Sequence, residues 1–196
     1  MEQDKKERLL TAAIKLFSEY GYEQVSVRQL TQASGLNSAM VSYYFGGKEK
    51  LYDAALSRQA EAMADFISHD SSQLSPEEVL TRYAEVMEKI HREYPELGRF
   101  IVQAFNGSVP LFSEFGKRLE GLFKVLSGAL QRGIEEGRFR QDLEVKEAII
   151  LLAGMVNFHF LSRDFRQRFP SAAGKDEKVY LQQALRIYLA GIARRD

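Results

Sequence analysis

The sequence predicts an all-helical fold, with a small N-terminal head followed by a larger helical domain, and three observations carry that expectation. Apolar residues recur with the helical period along nearly the whole chain, only four prolines interrupt them, and no alternating run of strand length occurs. Of the 196 residues, 45% are hydrophobic and 28% charged, the balance of a chain that buries a core beneath a charged surface. There are no cysteines, which removes disulfides and thiolate metal sites and fits a reducing, cytoplasmic compartment. Residues Met1 to Arg8 are charged and lack the apolar segment of a secretory signal. The longest apolar run, Ala148 to Val156, is too short to span a bilayer, so no membrane partner is expected.

The first helix is expected over residues 4–20, capped by Asp4, with Leu10, Ile14 and Phe17 on one apolar face and Gly21 ending it. A second, short helix follows with a full start signal. Ser26 caps it, Gln29 reaches back to complete a capping box, and Val25 with Leu30 forms a hydrophobic staple. Such a device contributes roughly 1 kcal/mol, which matters for a helix of two turns. Gly35 ends this helix, and the logic repeats: Asn37 caps, and Leu36 staples onto Val41. Two short helices joined by a tight glycine-containing turn have the spacing of a helix-turn-helix. Gly46 and Gly47 break the chain again, and a longer helix is expected from Lys48 to about Ser68. After a Ser-rich loop, Ser75-Pro76-Glu77-Glu78 is another strong helix start, with proline at the first helical position. Further helices are expected near 76–94, 96–106, 111–137, 143–165 and 176–194, with a loop over 165–175.

In a helix-turn-helix the second helix enters the major groove and the first braces it. Here the second helix is Ser38 to Phe45. Its small residues Ser38, Ala39 and Ser42 let backbone approach base edges, and Tyr43 and Tyr44 bring hydroxyls and rings that reach phosphates or thymine methyls. Met40 suits either role, while Val41 and Phe45 look inward by spacing. Lys48 opens the next helix, where free N–H groups attract anions. Ser26 and Arg28 open the brace helix, one placed for the DNA backbone and the other for a bidentate contact to guanine. A Tyr-Tyr-Phe cluster also serves as core, and a lone lysine as a solvated charge. Only the ordered set favours an interface.

Charge does not announce a nucleic-acid binder. Net charge is zero, and the first 55 residues are balanced as well. Lys5, Lys6, Arg8, Lys15, Arg28, Lys48 and Lys50 face Glu2, Asp4, Glu7, Glu19, Glu23, Glu49 and Asp53.

Two stretches resemble the TetR family of regulators. One is Ala12-Ala13-Ile14-Lys15-Leu16-Phe17-Ser18-Glu19-Tyr20-Gly21-Tyr22 followed by Val25-Ser26-Val27-Arg28-Gln29-Leu30. The other is Ala33-Ser34-Gly35-Leu36 with Ser42-Tyr43-Tyr44-Phe45-Gly46-Gly47-Lys48-Glu49-Lys50-Leu51. The resemblance covers roughly residues 8–56. It implies a DNA-binding domain over 1–47 and a helical ligand-binding and dimerisation domain over 48–196. It also implies a homodimer on a palindromic operator in double-stranded DNA, a small-molecule inducer, and repression as the common mode. Carried over by position, the contact candidates are Ser26, Arg28, Ser38, Ala39, Met40, Ser42, Tyr43, Tyr44 and Lys48. Where this chain has Ser42 the family often has tyrosine, and it often has lysine or threonine near Ser38 and Met40, so the half-site sequence does not transfer.

The C-terminal expectations are coarser. The run from Ala148 to Val156, with Leu151 and Met155, is apolar all round, and such a helix is buried on more than one side. With Leu181, Leu185, Tyr188 and Ile192 on the last helix it suits a dimer interface, which the resemblance makes a four-helix bundle, or else a single monomeric core. Phenylalanines crowd the middle helices: Phe66, Phe100, Phe105, Phe112, Phe115 and Phe123. Gln103, Asn106, Asn157 and His159 lie among them. An apolar pocket with a few polar groups has this composition, as does plain core. Candidate ligand contacts are Phe66, Phe100, Gln103, Phe105, Phe123, Asn157 and His159. The lack of a like-charge cluster favours an apolar, aromatic or amphipathic ligand. No cofactor is expected.

An enzyme has little support. Glu88-Lys89-Ile90-His91 is a Glu-x-x-His step, but a di-iron bundle needs a second, and neither His69 nor His159 has glutamate three residues earlier. No glycine-flanked serine elbow precedes a helix. The alternative function is a helical protein-interaction adaptor without DNA binding, for which the neutral head charge speaks.

Overall fold

The computed structural model of the chain describes residues 2–59, 61–69, 71–106, 114–162, 165, 168 and 177–194, with the side chains at 59, 62, 101, 103–106 and 177–179 outside that description. Ten helices occur among the described residues. They are α1 (Glu2–Gln24), α2 (Val27–Ser34), α3 (Ala39–Phe45), α4 (Lys48–Gln59), α5 (Glu61–Ser68), α6 (Pro76–Glu93), α7 (Leu97–Asn106), α8 (Glu114–Glu135), α9 (Val145–Leu161) and α10 (Glu177–Ile192). The helix expected over 48–68 covers α4 and α5, and position 60 between them lies outside the described residues. Two units divide the chain: Met1–Ala62 with Glu93–Arg118, and Met63–Arg92 with Leu119–Asp196.

In the first unit, α1 begins at Glu2, so Asp4 lies inside its first turn instead of capping it. Acids there oppose the positive end of the helix dipole. Leu9, Leu10, Ala13 and Phe17 are buried on one face, and full burial of a leucine or phenylalanine stabilises by roughly 1.5–3 kcal/mol. At Gly21 the backbone takes φ 77°, ψ 169°, which breaks α1 at the expected place; the chain re-enters helical geometry up to Gln24. Helices α2, α4 and α7 pack on α1, and α3 packs on α4. Tyr52 of α4 is the hub of an aromatic cluster. Its ring stands 5.0 Å from Phe17, 5.2 Å from Tyr22 and 5.7 Å from Phe100 of α7. Phe100, an expected ligand contact, is therefore part of the core that supports the head.

In the second unit, α6 buries Val79, Leu80, Tyr83, Ala84, Met87 and Ile90, a single stripe of helical period. The expected capping box is present before it: Ser75 N–H donates to Glu78 at 2.7 Å, and Glu78 N–H donates to Ser75 Oγ at 3.3 Å. Helix α8 ends on Gly137 at φ 70°, with the Arg138 and Phe139 N–H groups both donating to the Gly133 carbonyl. Phe139 is 1% exposed. A Cβ on Gly133 would lie 2.2 Å from its ring, so this glycine is the seat of that side chain. The segment after α8 is tied to the end of α10 by Arg140 N–H to the Ile192 carbonyl and Arg194 N–H to the Arg138 carbonyl. Tyr188 donates its hydroxyl to the Ala148 carbonyl at 2.8 Å, pinning α10 to α9. No helix among the described residues is long and apolar enough to cross a membrane.

Candidate nucleic-acid interface

The head holds its short helices with local devices at each end. Ser26 N–H donates to Gln29 Oε1 at 2.8 Å and Gln29 N–H donates to Ser26 Oγ at 3.2 Å, so the expected capping box is complete. Val25 and Leu30 flank it and are both buried. The C-terminus of α2 is a Schellman turn. Gly35 sits at φ 67°, its N–H directed to the Gln32 carbonyl, and the Leu36 N–H reaches the Thr31 carbonyl at 3.0 Å. Arg8 of α1 adds a guanidinium to the same end, donating to the Ser34 carbonyl at 2.7 Å. Asn37 Oδ1 accepts from the Met40 N–H at 3.3 Å, the expected cap of the next helix, while Ser38 already has helical angles and makes no cap bond.

These restraints fix which side of α3 faces out. Val41 is 1% exposed and anchors the helix, and Phe45 is half-buried. Ser38, Ala39, Ser42 and Tyr43 are exposed, as are Ser26 and Arg28 at the start of α2; Met40, Tyr44 and Lys48 are half-buried. The Tyr43 and Tyr44 rings meet edge to face, with centroids 5.0 Å apart. Small residues beside an aromatic pair on a rigid two-turn helix allow close approach to a groove and leave hydroxyls for phosphate or base contact.

Two contacts here were not foreseen. The Lys48 ammonium lies 4.1 Å from the Tyr22 ring centroid, a cation–π contact worth about 0.5–1 kcal/mol at such a site. Burial, then the charges of Glu49 and Glu23, raise the Tyr22 hydroxyl's pKa above its ordinary value. Tyr43 donates its hydroxyl to Glu2 Oε1 at 3.0 Å, which joins α3 to the start of α1. That bond first, and the glutamate's charge second, raise the Tyr43 pKa. Both contacts bridge segments more than twenty residues apart, which no local spacing rule reveals.

The expected ligand contacts are dispersed. Phe66 is buried beside Tyr83, with centroids 6.2 Å apart. Phe100 belongs to the first unit, whereas Phe66, Phe123, Asn157 and His159 belong to the second. Phe123 is on the surface, 38% exposed. Gln103 and Phe105 lie outside the described side chains. Asn157 is the hub of a buried polar network: its Nδ2 donates to the Ala153 carbonyl at 2.8 Å, which turns its Oδ1 toward His91 Nε2 at 2.9 Å. That orientation requires His91 to carry its proton on Nε2. Tyr83 hydrogen-bonds to the same amide, and burial drives its pKa far up. His159 is fully buried and stacks on Tyr180 at 4.2 Å. Tyr83 and His91 were missed as partners; their only sequence signal is their place on the buried stripe of α6. Among the described residues no cluster of three or more His, Asp or Glu is placed to hold a metal.

The expected dimer residues divide likewise. Leu151 is 65% exposed and Met155 half-buried, but Leu181, Leu185 and Ile192 are buried within their own unit and Tyr188 is spent on Ala148. The exposed apolar side chains are Ile150, Leu151, Phe158 and Leu161 on α9 and Tyr180 and Ile187 on α10.

Together the helices and this surface define an all-helical protein that presents a helix-turn-helix for contact with another molecule. Its head is that of the tetR family: residues 9–55 match the family described as bacterial regulatory proteins, tetR family. The chain is 24% identical to the HTH-type transcriptional regulator RutR of Escherichia coli (strain K12) over 135 residues, covering 68% of this chain and 64% of RutR, less than two thirds of that relative. It is 27% identical to the HTH-type transcriptional repressor NicS of Pseudomonas putida over 168 residues, covering 81% of this chain and 76% of NicS. The fold matches that of HlyIIR, a hemolysin II transcriptional regulator, at a TM-score of 0.75 and 23% identity over the whole of both chains.

Proposed function

We propose that the protein is a homodimeric regulator of transcription, acting as a repressor, that binds a palindromic operator and leaves it when a small apolar or aromatic molecule is bound. The observation that carries this reading is the outward face of α3. Ser38, Ala39, Ser42 and Tyr43 are exposed while Val41 beneath them is buried, on a tetR-family head whose α2 and α3 are held by local caps. Residues 1–47 serve as the DNA-binding domain and 48–196 as the ligand-binding and dimerisation domain. Ser26, Arg28, Met40, Tyr44 and Lys48 complete the contact set around α3.

Two copies associate through the exposed faces of α9 and α10. Along α9 the outward positions Leu151, Gly154, Phe158 and Leu161 follow steps of three and four, the spacing that packs one helix along another. The exposed Gly154 and Gly191 have open space where a Cβ would stand, which lets a partner backbone come close. Half-sites one helical turn apart lie about 34–36 Å from centre to centre, so only a dimer with matching separation engages both. A ligand releases the operator to the extent that it binds the mismatched arrangement better than the matched one.

The test is selection of duplexes from a random pool, followed by titration of the winner. A two-fold symmetric sequence is expected, with affinity falling steeply as salt rises. Replacing Tyr43 and Lys48 together with alanine abolishes binding; unchanged affinity would defeat the assignment of the contact face.

A further inference from the structure

We propose that Glu2 competes with DNA phosphates for the hydroxyl of Tyr43, and so sets how tightly the head holds DNA. The inference rests on the DNA-binding reading above. Tyr43 is 68% exposed at the centre of the proposed contact face, and its hydroxyl donates to Glu2 Oε1 at 3.0 Å. A phenol has one hydrogen to give. A phosphate oxygen accepts and does not donate, so it needs the same hydrogen. Tyr43 cannot serve both acceptors, and the glutamate must be displaced before the hydroxyl reaches the DNA backbone.

The surroundings sharpen the competition. The Tyr44 ring packs against Tyr43 edge to face, which limits where its hydroxyl can travel. Among the described residues Glu2 has no cationic partner to neutralise it. Glu7 is paired with Arg58 at 3.3 Å instead, and Lys6 lies over the Phe45 ring. The acceptor that holds the Tyr43 hydroxyl therefore stands, without a cationic partner among the described residues, at the edge of the surface that phosphates approach. A phenol is protonated at neutral pH with or without this bond, so the hydroxyl has its hydrogen to donate once the carboxylate has moved aside. This gives the charge-neutral head a meaning. By holding the Tyr43 hydroxyl, the acid weakens each encounter in which that hydroxyl would donate to a phosphate, and a site that seats Tyr43 well displaces it.

The experiment compares the full-length protein with Glu2→Gln, Tyr43→Phe and the double variant, by fluorescence anisotropy on a mixed-sequence duplex across a salt series. Glutamine keeps an acceptor but loses the charge, so Glu2→Gln is expected to bind roughly three- to tenfold tighter. Its salt slope steepens by up to about 0.9, the value of one more neutralised phosphate. A merely structural role would not move that slope. In the Tyr43→Phe background there is no hydroxyl to contest, and the gain from Glu2→Gln shrinks below about twofold. Glu2→Ala gives the same comparison should Glu2→Gln fold poorly. Affinity unchanged or weakened by Glu2→Gln overturns the proposal while leaving DNA binding intact, and so does an equal gain in both backgrounds. If the unaltered protein binds no duplex at low salt, the DNA-binding reading itself falls and takes this proposal with it.

Discussion

Replacing Gly35 with alanine tests the turn on which the presentation of α3 depends. Gly35 occupies φ 67°, ψ 30°, where an L-residue loses about 1–2 kcal/mol to the contact of its Cβ with the following carbonyl. The new Cβ would also stand 2.8 Å from Nη2 of Arg8, the guanidinium that donates to the Ser34 carbonyl. That atom is the end of a flexible side chain, so it yields, and the steric part amounts to no more than about 1 kcal/mol. The expected total is about 2 kcal/mol. For a chain of this length each kcal/mol lowers Tm by roughly 2–4 °C, which gives a fall of about 4–8 °C. Urea unfolding followed by circular dichroism reads the change directly, and a double-mutant cycle divides it. With Arg8→Ala as background the steric part vanishes and only the backbone part remains. Gly35→Asn loses less than Gly35→Ala, because asparagine tolerates the left-handed region. A Gly35→Ala protein as stable as the parent, or an identical loss with and without Arg8, would refute this account of the turn.

Further outcomes are expected elsewhere. Gly133→Ala gains about 1 kcal/mol of helix propensity but drives a Cβ to 2.2 Å from the Phe139 ring; overpacking of about 1–3 kcal/mol wins, and Tm falls in a thermal melt, with partial recovery on adding Phe139→Leu. Tyr52 has a buried hydroxyl with no hydrogen-bond partner among the described residues, so Tyr52→Phe raises stability by roughly 1 kcal/mol in urea. Burial pushes the Tyr52 pKa from 10.0 up to about 12. The unfolded chain therefore releases this proton first, and stability is intact below pH 10 and declines as pH climbs toward about 12. Melts across that range show a shallower decline in Tyr52→Phe. Leu151→Glu with Ile187→Glu replaces two side chains 65% and 67% exposed, so the fold persists by circular dichroism while sedimentation shifts to a single subunit.

What the sequence disclosed was local, and what it hid was long-range. The Ser26–Gln29 box, the Gly35 turn and the Asn37 cap involve partners within a few residues, so spacing alone located them. The inward placing of Val41 followed from helical period. The faces of α9 did not, because Ala148 to Val156 is apolar all round and periodicity cannot say which side meets the chain's own core. The structure buries Ala148, Ile149, Leu152 and Val156 and leaves Ile150 and Leu151 outside. Likewise Leu181, Leu185 and Ile192 have the spacing of any amphipathic face, whether it meets a partner or its own unit. Asn157 reaches His91 across 66 positions, and Glu2 reaches Tyr43 across 41. Such pairings depend on how the helices stack, and pairwise spacing carries no trace of it.

The most direct measurement of the central claim is the mass of the complex formed on a selected symmetric duplex, by sedimentation at low and at physiological salt. The account predicts two chains per duplex, protection of two half-sites one helical turn apart, and loss of the complex when Tyr43 and Lys48 are both alanine. A single chain per duplex, or a complex indifferent to those two side chains, would contradict it.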